Sequence, residues 1–282
     1  MKVVVTGGNG MLGRTLRNEF TGWEVFSADL PDVDITVPET VERFLRETTP
    51  DAVIHCAAMT AVDKCESEKL TAFRINRDGS ANVAAACRKL NIRLIAISTD
   101  YVFDGDAPQP YRESDIATGG RTVYGQSKFA GEQEIRKIAP DHVICRIAWL
   151  YGAGGPSFVH TMLNLADGSR PELKVVADQI GNPTSTLAVA RKLREILLMP
   201  ELRGTFHLTC EGEASWADFA VEIFRLAGKK QLVTPCTTDE FPRPAPRPKN
   251  SRLDNLRLAQ AGLSPMPHWQ EALAEFISTE FK

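Results

Sequence analysis

The chain has 282 residues, enough for one large domain or two modest ones with a sizeable core. Its 33 basic and 36 acidic residues leave a net charge of -3, which excludes general attraction to nucleic acid or an anionic membrane, so any anion must be bound locally. Cysteines at 56, 65, 87, 145, 210 and 236 are scattered without a Cys-x-x-Cys pair or histidines at ligand spacing, which predicts reduced, structural thiols and no metal site.

A charged residue followed by a strand pattern opens the chain, and no run of about eighteen apolar residues occurs, so a soluble cytoplasmic protein is the expectation. Lys2 to Thr6 is a β-branched run that leads into Gly7-x-x-Gly10-x-x-Gly13 and then a helical pattern, Arg14 to Phe20. In that order Gly7 permits a tight turn, Gly10 admits a pyrophosphate to the helix N-terminus, and Gly13 lets helix and strand pack closely. A second apolar run, Trp23 to Ala28, ends at Asp29, where a ribose-binding carboxylate belongs; an ordinary loop acid or helix cap is the alternative. Asp34, shortly after, is a weaker candidate of the same kind.

A helix over Pro38 to Thr48, a strand over Asp51 to Ala57, a helix around Phe73 to Leu90 and a strand over Arg93 to Thr99 continue the alternation. Strands alternating with helices predict an α/β fold, a Rossmann-like doubly wound parallel sheet whose ligands bind beyond the strand carboxyl ends. Those ends are Gly7, Asp29, Ala57-Ala58-Met59 and Thr99, and the two alanines serve equally well for close passage of a cofactor or for plain packing. Farther on, Tyr124 and Lys128 stand four apart on one helix face, so an ammonium can sit beside a phenol and lower its pKa. Hydride transfer to a ketone needs such a proton donor, and the Thr99 hydroxyl is placed to polarise the same carbonyl oxygen.

After Trp149 the alternation loosens, although strand patterns at Leu173 to Asp178 and Thr205 to Thr209 still alternate with helices at Leu187 to Leu198 and Trp216 to Ala227. We read residues 1–151 as a dinucleotide-binding domain and 152–282 as mainly a smaller substrate-binding lobe, with some elements returning to the sheet. The proline-rich stretch Pro235 to Pro248 reads either as a stiff surface connection or as a loop that brings Arg247 onto a diphosphate. Five isolated histidines support neither a hydrolase triad nor zinc, and His55, inside an apolar strand, is expected to be a satisfied core residue.

The glycine motif, Ser98-Thr99-Asp100-Tyr101-Val102-Phe103-Asp104-Gly105 and Tyr124-x-x-x-Lys128 resemble the extended short-chain dehydrogenases/reductases. Thr60 to Glu66, Arg146 to Gly152, Asp178 to Thr184 and Arg247 to Leu253 narrow the resemblance to the dTDP-4-dehydrorhamnose reductase family, over nearly the whole chain. The resemblance implies reduction of a dTDP-4-keto-6-deoxy-L-sugar to dTDP-L-rhamnose with NADPH or NADH. It makes Tyr124 the proton donor, Lys128 its partner and ribose ligand, and Thr99 the polarising hydroxyl. It also implies cofactor contacts at Gly10, Met11, Leu12, Asp29, Asp34, Ile35, Ala57, Ala58, Met59 and Ile97, with Asp100 and Trp149 lining the sugar pocket.

Related dehydratases carry an acid where this chain has Tyr101, which disfavours dehydration, and the glutamate that bridges some relatives into metal-linked dimers is Thr15 here. A monomer or homodimer without nucleic-acid or membrane partners is the expectation. The other readings are a non-catalytic, cofactor-binding regulatory subunit, or a reductase or epimerase for another nucleotide sugar.

Overall fold

Short runs of β-branched residues form the parallel strands β1 (Lys2–Thr6), β2 (Glu24–Ala28), β3 (Ala52–His55), β4 (Arg93–Thr99) and β5 (Val143–Ile147) in the computed structural model, which describes residues 1–281. A sixth strand, Gly204–His207, pairs parallel to β5, and the order across the sheet is Gly204–His207, β5, β4, β3, β1, β2. From β1 the chain winds one way to β2 and the other way through β3, β4 and β5, so the order reverses beside β1, where a crevice opens at the carboxyl ends. Side chains alternate across the sheet as the two-residue period requires. Val3, Val5, Ile54 and Ile95 enter one core, and Val4, Val53, Leu94 and Ala96 enter the other.

Helix α1 (Met11–Glu19) covers the first face with Leu12 and Leu16 and packs on the helix Thr186–Leu197. The opposite face is covered by α2 (Pro38–Thr48), which buries Val41 and Leu45 and begins with proline at its first turn, where no amide hydrogen is needed. Two short helices follow β3, α3 (Val62–Ser67) and α4 (Lys69–Phe73), before α5 (Ser80–Leu90) and, after β4, α6 (Val123–Ile138). The long helix expected around Phe73 to Leu90 is thus longer at its start and is interrupted by a wide turn at Arg74–Gly79. Asn76 explains the bulge. Its amide oxygen accepts from the Met59 N–H at 2.8 Å, and its Nδ2 donates to the Met59 carbonyl at 3.1 Å and the Ser127 hydroxyl at 2.9 Å, tying the loop after β3 to α6.

Beyond β5, the strands Glu172–Val176 and Leu232–Cys236 form a separate parallel pair; the helix Trp216–Leu226 packs on both strands, and the helix Phe158–Leu165 packs on that helix. Pro235 lies in that pair, opposite Val175, rather than opening a surface connection as the sequence suggested. A two-stranded pair leaves half of each strand's N–H groups without a ladder partner, so a residue lacking one is tolerated there. The first core does not stop at the lobe boundary, since Val3, Leu16 and Val143 share it with Phe219, Trp269 and Leu273. All six cysteines are free thiols. His55 is buried between the Thr6 and Ser80 hydroxyls, at 2.7 and 3.0 Å, and burial holds its pKa down at about 3, a neutral core imidazole as expected.

Candidate active site

Above the carboxyl ends of β1, β3 and β4 lies a cavity of about 680 Å³. At one end the glycine turn sets its floor. Gly7 has φ +68, and a Cβ there would come within 2.8 Å of the Ala57 backbone, so only glycine fits between β1 and the loop after β3. At Gly13 a Cβ would lie 2.4 Å from the Gly7 carbonyl oxygen, which is why α1 can start so close to β1. Gly10 caps α1 without any side-chain hydrogen bond, so the first-turn amides, which have no partner within the helix, face an anion site with the positive end of the helix dipole.

Asp29, ending β2, accepts the Asn9 N–H through Oδ2 at 2.7 Å and so braces the turn. Asp34 accepts from the Thr36 N–H and hydroxyl, each at 2.8 Å, shaping the loop that carries Val33 and Ile35 to the cavity wall. Ala57, Ala58 and Ile75 line the same cavity.

At the opposite end Thr99, Asp100, Tyr124 and Lys128 converge. Helix α6 is capped by Thr122, whose hydroxyl accepts the Gly125 N–H at 2.9 Å. A Cβ on Gly125 would lie 2.1 Å from the Tyr101 carbonyl, so this glycine lets α6 settle on the turn after β4 and brings Tyr124 beside Thr99. Tyr101 meets the Tyr124 ring edge to face, with centroids 5.4 Å apart. The Thr99 hydroxyl donates to Asp100 Oδ1 at 2.9 Å, while Asp100 Oδ2 is buried with no hydrogen-bond partner among the described residues. Burial lifts Asp100 to about 6, opposed by the neighbouring Ser251 and Thr99 hydroxyls.

The expected lowering of the phenol pKa by Lys128 is not what this structure contains. Burial pushes Tyr124 well above its ordinary value, Thr99 opposes the rise by hydrogen bonding, and nearby Asp100 adds to it. The Lys128 ammonium instead donates to the Ile97 carbonyl at 2.8 Å. Burial brings Lys128 down to about 8, with Glu132, one turn along α6, favouring the charged form.

Gly7, Gly10, Met11, Leu12, Gly13, Asp29, Asp34, Ile35, Ala57, Ala58, Ile97, Thr99, Asp100, Tyr124, Lys128 and Trp149 all line this one cavity. Met59 and Arg247 are not among its lining residues. Met59 packs behind the wall with Cys65 and Tyr124. Arg247 donates to Asp63 Oδ1 at 2.9 Å and lines a neighbouring cavity of about 90 Å³ beyond Tyr101, because its guanidinium finds a carboxylate close by. Trp149 stands at φ +47 and stacks on Trp216 with centroids 3.5 Å apart; a Cβ on Gly181 would lie 2.4 Å from its indole. Trp216, Asn76 and Gly125 went unseen in the sequence because each acts through a distant partner, although the glycine directly after Tyr124 was a readable sign of close helix approach. Thr15 donates to the Thr186 hydroxyl at 2.8 Å within the chain.

The model of the RmlD substrate binding domain family matches residues 1–281. A dTDP-4-dehydrorhamnose reductase of Sinorhizobium fredii is 41% identical, over 98% of this chain and 97% of its own length. A Clostridium acetobutylicum dTDP-4-dehydrorhamnose reductase structure superposes with a TM-score of 0.96 at 46% identity, covering 100% of both chains. A third, from Bacillus anthracis and solved in complex with NADP, has a TM-score of 0.95 at 39% identity, with 99% of each chain covered.

Proposed function

The chain belongs to the RmlD substrate binding domain family, and on that premise we propose that it reduces dTDP-4-dehydro-6-deoxy-L-mannose to dTDP-L-rhamnose with a nicotinamide cofactor. The convergence of Thr99, Tyr124 and Lys128 at one end of a cavity whose other end is a glycine turn carries the reading. A dinucleotide fits what is present: uncapped amides of α1 for the diphosphate, the Val33 and Ile35 wall for a flat base, and Asp29 for a ribose hydroxyl. Bound there, the reduced nicotinamide supplies the hydride.

The protein's own residues do the rest. Tyr124, kept protonated by burial, donates the proton to the carbonyl oxygen as negative charge grows on it. Thr99 turns its hydroxyl from Asp100 toward the same oxygen, and Lys128 leaves the Ile97 carbonyl for the nicotinamide ribose. Asp100, with one carboxylate oxygen unused, accepts a sugar hydroxyl, and the open face of Trp149 packs against the substrate. Arg247 exchanges Asp63 for the substrate diphosphate across Tyr101. The substrate lobe in this reading begins near residue 152, and the enzyme works in the cytoplasm, as a monomer or homodimer, without nucleic-acid partners; no described helix is long and apolar enough to cross a membrane.

The test is oxidation of NADH and NADPH, followed by absorbance, with the keto sugar generated in place by the preceding enzymes. We expect rapid, stoichiometric oxidation by the wild type. Tyr124→Phe should bind cofactor normally and turn over about 10²- to 10⁴-fold more slowly. Near-wild-type turnover by that variant would sink the assignment of the proton donor. A reaction without net oxidation would favour an epimerase.

A further inference from the structure

Lys128 is 7% exposed, and among the described residues its ammonium has one hydrogen-bond partner, the Ile97 carbonyl. A buried positive charge needs a negative one close by, because the interior replaces little of the hydration it gives up. Most titratable groups around Lys128 supply none. On β3, burial holds His55 down at about 3 and pushes the Cys56 thiol up to about 12, so both are neutral at physiological pH. On α6, Tyr124 keeps its proton. On the turn after β4, Asp100 accepts from Thr99 and acts on Tyr124. The remaining group is Glu132, four residues along α6 and so on the same face as Lys128. We propose that Glu132 is a positioning residue for the reduction, its carboxylate held by Arg146 so as to keep the Lys128 ammonium charged at the reacting end of the cavity. The proposal rests on reading Tyr124 and Lys128 as the proton donor and its partner.

The clamp is built from the sheet. Arg146 on β5 donates through Nε and Nη2 to the two Glu132 oxygens at 2.9 and 2.8 Å, and Arg136 adds a bond at 2.8 Å from the next turn of α6. Glu132 and Arg146 are each 2% exposed, and the Arg146 guanidinium lies over the Phe103 ring, 4.9 Å from its centroid. Burial by itself raises Glu132, but the Arg146 hydrogen bonds and charge outweigh it and hold the acid down at about 2, so it stays an anion throughout the working range. Lys128 and Glu132 both line a cavity of about 10 Å³, room for about one water, so little solvent screens one charge from the other. A buried ion pair is often no more stabilising than apolar side chains of the same volume, so stability alone does not account for an acid at this position. Its field on Lys128 does, because it favours the ammonium where burial disfavours it.

An NMR titration of the full chain, labelled with carbon-13 at the lysine Cε, reads the Lys128 charge without cofactor or turnover, its resonance identified by loss in Lys128→Met. The wild type should titrate at about pH 8. Glu132→Gln should lower that midpoint by about one pH unit. The alkaline limb of kcat/KM for NADH or NADPH oxidation with the keto sugar should move down with it. Because the glutamine leaves Arg146 buried without its carboxylate, Glu132→Gln combined with Arg146→Met is the second variant. With both charges of the pair gone the midpoint should still fall, and thermal melts show which variant keeps its fold. An unchanged midpoint in a variant that keeps its fold overturns the counter-charge. A lowered midpoint with the kcat/KM limb left in place overturns the role in the reduction. Wild-type protein that oxidises neither dinucleotide, while the lysine titration still responds to Glu132→Gln, overturns the reductase reading rather than the coupling.

Discussion

Tyr124 and Lys128 show how little a spacing says about charge. Four residues apart on α6 they share a face, as the helical period requires, yet the ammonium sits on a backbone carbonyl and the phenol is raised rather than lowered. For a reduction this is the useful state, because a proton donor must hold its proton at working pH. Lys128 carries the pH dependence. Its folded pKa, brought down from 10.5 to about 8 by burial, leaves it charged below pH 8 and neutral above. We expect kcat/KM for the reduction to fall as pH rises through about 8, with cofactor affinity falling in parallel, and Lys128→Met to abolish that limb at a lower plateau. A pH profile with no break between 7 and 9 would contradict this reading. The sign for stability is opposite. A lysine depressed on folding penalises the native state below about 8, and the penalty fades as pH climbs from there toward 10.5.

At the scale of elements, two close approaches set the site: α1 on β1 through Gly13, and α6 on the turn after β4 through Gly125. Each is a place where a methyl group collides with backbone oxygen, which cannot rotate away. Gly125→Ala should therefore cost on the order of 1–3 kcal/mol and move Tyr124 away from Thr99. In a chain of this size that corresponds to a melting-temperature drop of roughly 2–4 °C for each kcal/mol, together with a turnover loss larger than any change in KM for cofactor. Gly22→Ala is the control: its φ is +80 but nothing lies within 4 Å of a new Cβ, so it should lower the melting temperature modestly and leave turnover unchanged. Equal turnover in the two variants would mean that the contact at Tyr101 does not position the phenol. The wide turn at Arg74–Gly79 belongs at this scale too, because Asn76 uses it to hold the loop after β3 and α6 at once. Such bulges recur at functional sites, and nothing in the local sequence periodicity marks them.

At the scale of the whole molecule, elements from both halves of the chain share one sheet and one core. The strand Gly204–His207 completes the sheet beside β5, the helix Thr186–Leu197 packs on α1, and one core joins Val3 and Leu16 to Phe219 and Leu273. Residues 1–151 alone would expose the partner side of β5 and the outer face of α1, so we expect that fragment to aggregate rather than fold. The full chain should unfold in one calorimetric transition, and two separated transitions would show that the lobes are independent.

The sequence by itself determined the strands β1 to β4, the glycine turn, the Asp29 position and the Tyr124 and Lys128 face, because each depends on periodicity or on one residue's conformational freedom within a few neighbours. Only the tertiary structure decided what those residues touch. Arg247 found Asp63 across 184 positions, Trp149 found Trp216, Thr15 found Thr186, and the Lys128 ammonium found a carbonyl on β4. The physical reason is common to all four. A side chain takes whichever partner the packed chain brings within hydrogen-bonding or van der Waals range, and the burial that then shifts its pKa is a property of the assembled core rather than of any local stretch of sequence.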